Sequence, residues 1–187
     1  MANSNQQQCD LFLGTLFAGY PDDLEVEFRG LRTDGRHPWR GRSKVGAPGV
    51  QVEGLSRECD LYVGVLPRAI QKSGHDQFTH ANWLWADFDL KVAPEEKIKE
   101  ACEHAEVVVA SGGGYHAYWR LSETMVFYNQ DQRDQFQRAL KKFQQNLLPG
   151  CDPVHDLARI LRVPGSINHK YGTVVELVRC PGMERVF

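Results

Sequence analysis

Apolar and polar residues alternate along the chain in a pattern that predicts several β-strands. Leu24 to Leu31 alternates between apolar and polar residues, which is typical of a half-buried strand. Further strands are predicted at Cys59 to Pro67, Glu106 to Ser111 and Tyr115 to Leu121. The triplet Gly112 to Gly114 joins the last two, and such a glycine-rich connection predicts a hairpin.

Helical periodicity occurs between these strands. Apolar residues recur every three or four positions from Gln130 to Leu148, with Arg and Lys between them, which predicts an amphipathic helix that covers a sheet. Shorter helices are predicted at Cys9 to Tyr20 and at Pro94 to His104. The 187 residues fit one domain, or two small lobes that share a core.

An aromatic and acidic segment, Asn82 to Lys91, is predicted to be a buried strand. Strand period two points one set of alternate side chains toward a core: Leu84, Ala86, Phe88 and Leu90. The opposite set is Trp83, Trp85, Asp87 and Asp89. Two neighbouring carboxylates repel each other unless a cation lies between them, and such hard oxygen ligands suit Mg²⁺ or Mn²⁺. The alternative is a strand end that emerges into solvent with two hydrated acids.

Six cations accumulate between Arg29 and Lys44, with glycines and a proline among them. This composition predicts a mobile basic loop, which is either a solvated surface loop or a segment that tracks phosphates. The formal net charge of the whole chain is −2, so attraction to a polyanion must come from local clusters of this kind.

The hairpin at the glycine triplet carries a second group of polar side chains. Strand period two places His116, Tyr118 and Arg120 on one face, and predicts the other face as the core face: Tyr115, Ala117, Trp119 and Leu121. Glycines let an anionic group approach backbone amides, and the neighbouring polar residues supply donors. The alternative is a tight hairpin with a histidine on the surface.

A third polar region comes after the long helix. Asp152 and Pro153 have the pattern of an N-cap and first helical position, which predicts a short helix that carries Arg159 and Arg162 on one side. Val163-Pro164-Gly165 ends it, and Ser166 to Lys170 leads to a last strand at Thr173 to Val178. Capping and surface charge explain each of these polar residues separately.

Composition narrows the class of protein. Five scattered cysteines without a Cys-x-x-Cys pair favour a reducing compartment and argue against a structural zinc site. No apolar run is long enough for a membrane span, and the polar N-terminus does not resemble a signal peptide. We therefore expect a cytoplasmic protein without a membrane partner.

Taken in order, the three polar regions resemble the catalytic core of the archaeo-eukaryotic primase superfamily, the primase-polymerases, and especially the branch found in plasmids, phages and mobile elements. The matching motifs are Asp87 with Asp89, the Ser-Gly-x-Gly-x-His run from Ser111 to His116, and the run from Asp152 to Lys170. Each motif is weak alone, whereas the ordered set is specific. The resemblance covers about residues 62–178.

The resemblance implies template-directed nucleotidyl transfer with two Mg²⁺ or Mn²⁺ ions, in which pyrophosphate is displaced from a dNTP or NTP. It implies a catalytic and metal-binding set: Asp87, Asp89 and Asp152. Asp156 is the alternative third acid. It also implies a nucleotide-binding set: Ser111, Gly113, Gly114, His116, Arg162, Asn168 and Lys170.

The fold implied is α+β, with an RRM-like antiparallel sheet that carries the motifs (residues 81–187) packed against an N-terminal α/β lobe (residues 1–80). The partners implied are a DNA template and primer, and a helicase or accessory domain in a longer parent protein. Candidates to contact the template are Arg40, Arg42, Lys44, Arg68, Tyr118 and Arg159. Trp83 and Trp85 are further candidates, but core packing is the favoured role for both.

Three other functions fit parts of the pattern. A relaxase or nuclease on a related sheet requires a His-apolar-His metal pair, which the sequence lacks. An RRM-like binding module without catalytic activity is expected to have a damaged acid set. A glycosyltransferase that uses Asp-x-Asp gives no role to the Arg-Val-Pro-Gly segment. The sequence leaves open the choice between dNTP and NTP and between initiation and extension.

Overall fold

The computed structural model describes residues 4–32, 34, 38–149 and 154–183. Its helices are α1 (Asn5–Leu16), α2 (Val52–Leu55), α3 (Glu95–Ala101) and α4 (Gln130–Leu147), and one 3₁₀ turn spans Gly74–Gln77. Its strands are β1 (Leu24–Leu31), β2 (Trp39–Lys44), β3 (Asp60–Gly64), β4 (Arg68–Ala69), β5 (His80–Asp89), β6 (Val107–Ala110), β7 (Gly114–Val126), β8 (Ile160–Arg162), β9 (Ile167–Asn168), β10 (Thr173–Val174) and β11 (Glu176–Arg179). Among the described residues, no helix has the length and apolar character needed to cross a membrane.

Four strands from the N-terminal half of the chain and one from the C-terminal half form a five-stranded antiparallel sheet. Its order is β2-β1-β3-β8, and β4 pairs with the other end of β1. One face of the sheet is core, since Val26, Phe28 and Val63 are buried there. The alternate residues face the other way and are mostly polar, as the alternation in β1 predicts. The last strand, β8, comes after α4 in the chain and brings Arg162 back to this sheet.

The second sheet is antiparallel and four-stranded, with the order β11-β6-β7-β5. It is covered on both faces, which explains the uninterrupted apolar run in β6: Val107 and Val109 join the main core, while Val108 packs in a second cluster with Ile98 of α3. The expected α+β class with antiparallel sheets is therefore confirmed.

The main core joins both sheets through α1 and α4. Helix α1 begins at a capping box between Ser4 and Gln7, and it buries Phe12 and Leu13. Helix α4 begins at Asn129, whose side chain accepts a hydrogen bond from the Gln132 amide. Its apolar stripe enters the same core, as the periodicity predicts.

The two tryptophans of β5 are core residues. Trp83 and Trp85 are fully buried, and their indole N–H groups donate to the carbonyls of Leu16 and Val154 at 2.7 and 2.8 Å. The expectation of core packing is confirmed. Leu90, in contrast, is expected in the core from the strand pattern but is 43% exposed, because it lies past the end of β5 at the start of a turn.

Two predictions of local structure are wrong. Residues 39–44 form the edge strand β2 instead of a loop, because pairing with β1 supplies the backbone hydrogen bonds. The helix expected after Asp152 is absent from the described residues 154–183. There the chain runs through turns into β8, where Arg162 pairs with Tyr62 of β3. Sheet pairing has replaced the helix in which Arg159 and Arg162 were expected on one side.

Candidate active site

A cleft of about 480 Å³ opens where the two sheets meet the segment β9–β10. Most of the expected functional residues lie along its wall: Asp87, Asp89, Ser111, Gly113, Gly114, His116, Arg162, Asn168 and Lys170. These residues come from β5, from β7 and the turn before it, from β8, and from β9 and the turn after it. The fold therefore brings together residues that are separated by more than 80 positions in the chain.

Asp87 and His116 are direct partners across β5 and β7. The His116 Nε2 atom lies 3.6 Å from Asp87 Oδ1, which is too long for a hydrogen bond. His116 is buried, and its Nδ1 atom has no hydrogen-bond partner among the described residues. Burial lowers the pKa of His116, Arg162 lowers it further, and Asp87 opposes both effects. The imidazole is therefore neutral at pH 7 and keeps capacity for a ligand.

Asp89 ends β5 opposite Gly114. One of its oxygens, Oδ1, accepts the Lys91 amide at 2.8 Å, so this short bond fixes the carboxylate while Oδ2 keeps its acceptor sites. Gly114 allows the close approach of the strands, because a Cβ there would collide with the carbonyl oxygen of Phe88. Gly112 has φ of +87°, the left-handed region that favours glycine. The glycine triplet thus shapes the cleft wall beside both acids.

Arg162 is held against the other wall. Its Nη2 atom donates to Asp60 Oδ2 at 3.2 Å, and its Nη1 atom lies 2.9 Å from Oδ1. The guanidinium also lies over the Tyr62 ring, 4.9 Å from the ring centre. A guanidinium carries five N–H donors, so Asp60 engages only part of the fork. Arg162 lines the same cleft as Asp87, as expected from the sequence.

Asn168 ends β9, and Lys170 lies on the connection from β9 to β10. The Asn168 side chain is buried: its Nδ2 donates to the Ser111 carbonyl at 2.6 Å and its Oδ1 accepts the Lys170 amide at 3.2 Å. Asn168 therefore ties the glycine turn to the segment that carries Lys170. The Lys170 ammonium lies 5.2 Å from the centre of the Tyr171 ring, at the cleft.

Comparisons with known proteins bear on the fold of the chain. No protein-family model and no curated protein matches the sequence. Among solved structures, the AEP domain of the primase-polymerase of cyanophage S-2L matches with a TM-score of 0.65 at 14% identity, over 93% of this chain and 90% of that chain. The chain has the AEP primase-polymerase fold. The resemblance drawn from the ordered motifs is thus confirmed at the level of the fold.

Two structures of the primase RepB' are also similar in fold to this chain. The catalytic domain of RepB' in complex with initiator DNA matches with a TM-score of 0.54 at 13% identity, over 95% of this chain and 88% of that chain. A longer RepB' structure matches with the same TM-score at 14% identity, and this chain covers 57% of it.

Within the AEP fold, Asp60, Tyr62 and Tyr171 are cleft-side residues that no sequence motif indicated. Asp60 contacts Arg162, Tyr62 lies beneath its guanidinium, and Tyr171 packs against Gly113. The pairing of Tyr62 with Arg162 results from the position of β8 in the sheet. No local pattern signals this pairing, because the spacing of Arg159 and Arg162 predicts a helix and not a strand.

Two of the three acids expected to bind metal lie among the described residues. Asp87 and Asp89 line the cleft and keep carboxylate oxygens for a cation, so they can supply two of the ligands of a divalent ion. Asp152, the expected third acid, lies outside the described residues. Asp156 pairs with Arg159 at 2.7 Å and does not line the cleft. No group of three His, Cys, Asp or Glu suited to a metal occurs within residues 4–32, 34, 38–149 and 154–183.

Three of the candidate template contacts form an exposed row on β2: Arg40, Arg42 and Lys44. Across the sheet, Arg40 pairs with Arg29 of β1, Arg29 with Tyr62, and Tyr62 with Arg162. Directly paired residues share a face, so this line of side chains leads from the edge of the sheet into the cleft.

Two other candidate template contacts are wrong, because their side chains are buried. Arg68 is 4% exposed, forms an ion pair with Glu27 and lies over the Phe78 ring. Tyr118 is fully buried and packs against Phe12. Tyr118 and His116 lie on the face of β7 opposite the predicted core face, and both are buried, so that face of the strand is at least as buried as the predicted one. Arg159, which pairs with Asp156, stays a candidate.

Proposed function

We propose that this chain is a template-directed nucleotidyltransferase, a DNA primase or DNA polymerase that adds nucleotides to a 3′-hydroxyl. The observation that carries the proposal is one cleft that contains both a group of carboxylates and a group of cationic or neutral donors. Asp87 and Asp89 belong to the first group. His116, Arg162 and Lys170 belong to the second. A nucleoside triphosphate requires both kinds of contact.

The donor side suits the triphosphate. Arg162 presents planar N–H groups that match phosphate oxygens, and Lys170 adds a compact positive charge. Neutral His116 donates one hydrogen bond without repelling the neighbouring arginine. Ser111, Gly113 and Gly114 border the same space, where glycines permit phosphate to approach the backbone. Asn168 acts indirectly, because both of its polar atoms hold the backbone.

The acidic side suits a pair of divalent cations. Asp87 and Asp89 would hold Mg²⁺ or Mn²⁺, and Asp152 is proposed as the third acid. When bound, such ions activate the 3′-hydroxyl and neutralise charge on the triphosphate. The chain itself fixes the two carboxylates on one face of β5, opposite His116 and Gly114.

The open face of the five-stranded sheet suits the DNA template. Arg40, Arg42 and Lys44 are exposed, and the line through Arg29 and Tyr62 continues from them to Arg162. Cations with an aromatic side chain among them are typical of surfaces that bind single strands. The RepB' catalytic domain that shares this fold was solved with initiator DNA. We propose DNA template, DNA primer and dNTP or NTP as partners.

The test is an incorporation assay with Mn²⁺ or Mg²⁺ on primed and unprimed templates. Each dNTP or NTP is offered singly, opposite a complementary or a non-complementary template base. Incorporation that obeys the template supports the proposal, and products on unprimed template identify primase activity. Binding of DNA without incorporation identifies a binding module, and shortening of the DNA identifies a nuclease. Either of the last two results overturns the proposal.

A further inference from the structure

Asp60, the first residue of β3, contacts two separate parts of the cleft wall. Its Oδ2 accepts a hydrogen bond from Arg162 Nη2 at 3.2 Å, and its Oδ1 lies 2.9 Å from Nη1. The Oδ1 atom also accepts the backbone N–H of His169 at 2.9 Å. Both side chains of the ion pair are largely shielded from water, at 13% exposure for Asp60 and 12% for Arg162.

The His169 contact matters because the next residue in the chain is Lys170, one of the cations of the cleft. The Lys170 amide is bound by the Asn168 side chain. Asn168 in turn holds the Ser111 carbonyl beside the glycine triplet. The segment from Asn168 to Lys170 is therefore anchored through the Asn168 side chain to the glycine turn between β6 and β7, and through the His169 amide to Asp60.

We propose that Asp60 is a positioning residue that holds Arg162 and the Lys170 segment in the geometry needed to bind a nucleoside triphosphate. This inference rests on the proposed function and deepens it, since it names what orients Arg162 and holds the segment that carries Lys170. An arginine side chain has many rotamers, and fixing it before the substrate binds lowers the entropy lost on binding. Asp60 has a side chain of two rotatable bonds at the start of a strand, so it is itself well fixed.

The electrostatics of Asp60 agree with this role. Burial alone raises the pKa of its carboxyl, but the hydrogen bonds from Arg162 and from the His169 amide hold the pKa below its usual value. The carboxylate is therefore ionised at the pH of any assay near neutrality. It does not reach the cleft lining, so it acts through Arg162 and His169 and does not contact the substrate itself.

The experiment compares Asp60→Ala and Asp60→Asn with the parent chain in incorporation kinetics and in Mn²⁺-dependent dNTP binding. Asp60→Ala removes both contacts, so we expect KM and Kd for dNTP to rise about tenfold, the scale of one charge-assisted hydrogen bond. Asp60→Asn keeps an acceptor for the His169 amide, so a smaller rise, roughly threefold, is expected. The value of kcat should change less than KM.

Asp76→Asn is the matched control. Asp76 also pairs with a buried arginine, Arg133, at 3.0 Å, but it lies away from the cleft. The Asp76→Asn substitution should therefore leave KM for dNTP unchanged. Circular dichroism and urea unfolding establish which variants are folded, and Asp60→Asn covers the case in which Asp60→Ala does not fold.

A double variant tests whether Asp60 acts through Arg162. In an Arg162→Ala background, Asp60→Ala should raise KM by a smaller factor than in the parent. Equal factors in both backgrounds overturn the inference. Unchanged or tighter dNTP binding in folded Asp60→Ala and Asp60→Asn also overturns it, since Asp60 would then only mask the charge of Arg162. A parent chain that binds no dNTP overturns the proposed function as well, which distinguishes the two failures.

Discussion

His116 gives the sharpest prediction about the donor side of the cleft, because it is buried yet borders the space proposed for the triphosphate. We expect His116→Ala to weaken Mn²⁺-dependent dNTP binding. A hydrogen bond to a charged group contributes about 1.5–3 kcal/mol, which corresponds to a rise in Kd of about 10- to 150-fold. The affinity for DNA should change little, since the imidazole faces the cleft and not the exposed row on β2.

The same substitution should also lower stability. His116 is 4% exposed, so truncation of its side chain leaves a cavity beside Asp87. By analogy with other large-to-small changes at buried sites, we expect the free energy of unfolding to fall by about 2–4 kcal/mol. Binding must therefore be titrated at a temperature where urea unfolding shows the variant to be native.

Tyr118→Phe is the control for a general disturbance of β7. Tyr118 lies two residues further along the same strand face and is fully buried, but it does not line the cleft. The change removes one hydroxyl and keeps the ring, so dNTP affinity should equal that of the parent. The role of His116 is refuted if folded His116→Ala binds dNTP as tightly as the parent, or if Tyr118→Phe loses as much affinity.

Three further predictions test other parts of the molecule. Arg40→Ala should weaken single-stranded DNA binding and reduce the slope of log Kd against log salt by about 0.7 per lost phosphate contact. Lys141→Ala, on the exposed face of α4, should change neither quantity, and anisotropy titrations measure both. Arg68→Met should lower the free energy of unfolding in urea by about 2–4 kcal/mol and leave DNA affinity unchanged, because it removes the buried partner of Glu27. The pKa of Asp60 is lowered in the folded chain, so the contribution of Asp60 to stability is present above about pH 4 and is lost as pH falls. The free energy of unfolding, measured from about pH 6 to pH 3, should therefore depend less on pH in Asp60→Asn than in the parent.

The fold and much of the cleft could be predicted because their signals are local. Alternation in Leu24–Leu31 and periodicity in Gln130–Leu147 each reflect which side chains a single element buries. Asp87 and His116 could also be chosen from sequence, since each stands at the end of a strand beside a turn. Their direct pairing depends on the register of β5 and β7, which a single strand does not encode.

The elements that could not be predicted depend on distant partners. The sequence of β2 has no apolar alternation, and it is a strand because β1 offers it an edge. Residues 160–162 lie in a segment that the cap at Asp152 and the spacing of Arg159 and Arg162 predict as a helix, but they pair with β3. Asp60 could not be chosen as a functional residue from the sequence, because Arg162, the residue that gives it a role, lies 102 positions away. The choice of Asp152 over Asp156 stays a prediction, because Asp152 lies outside the described residues.

We propose that the cleft containing Asp87 catalyses templated nucleotide incorporation. The measurement that tests this most directly is single-nucleotide extension of a primed template with Mn²⁺ by three proteins: the parent, Asp87→Asn, and Asp131→Asn in the exposed first turn of α4 as control. We predict extension by the parent and the control, and a loss of at least about a hundredfold in rate for a folded Asp87→Asn, which removes charge that the transition state requires. Extension by Asp87→Asn at the parental rate would contradict the claim.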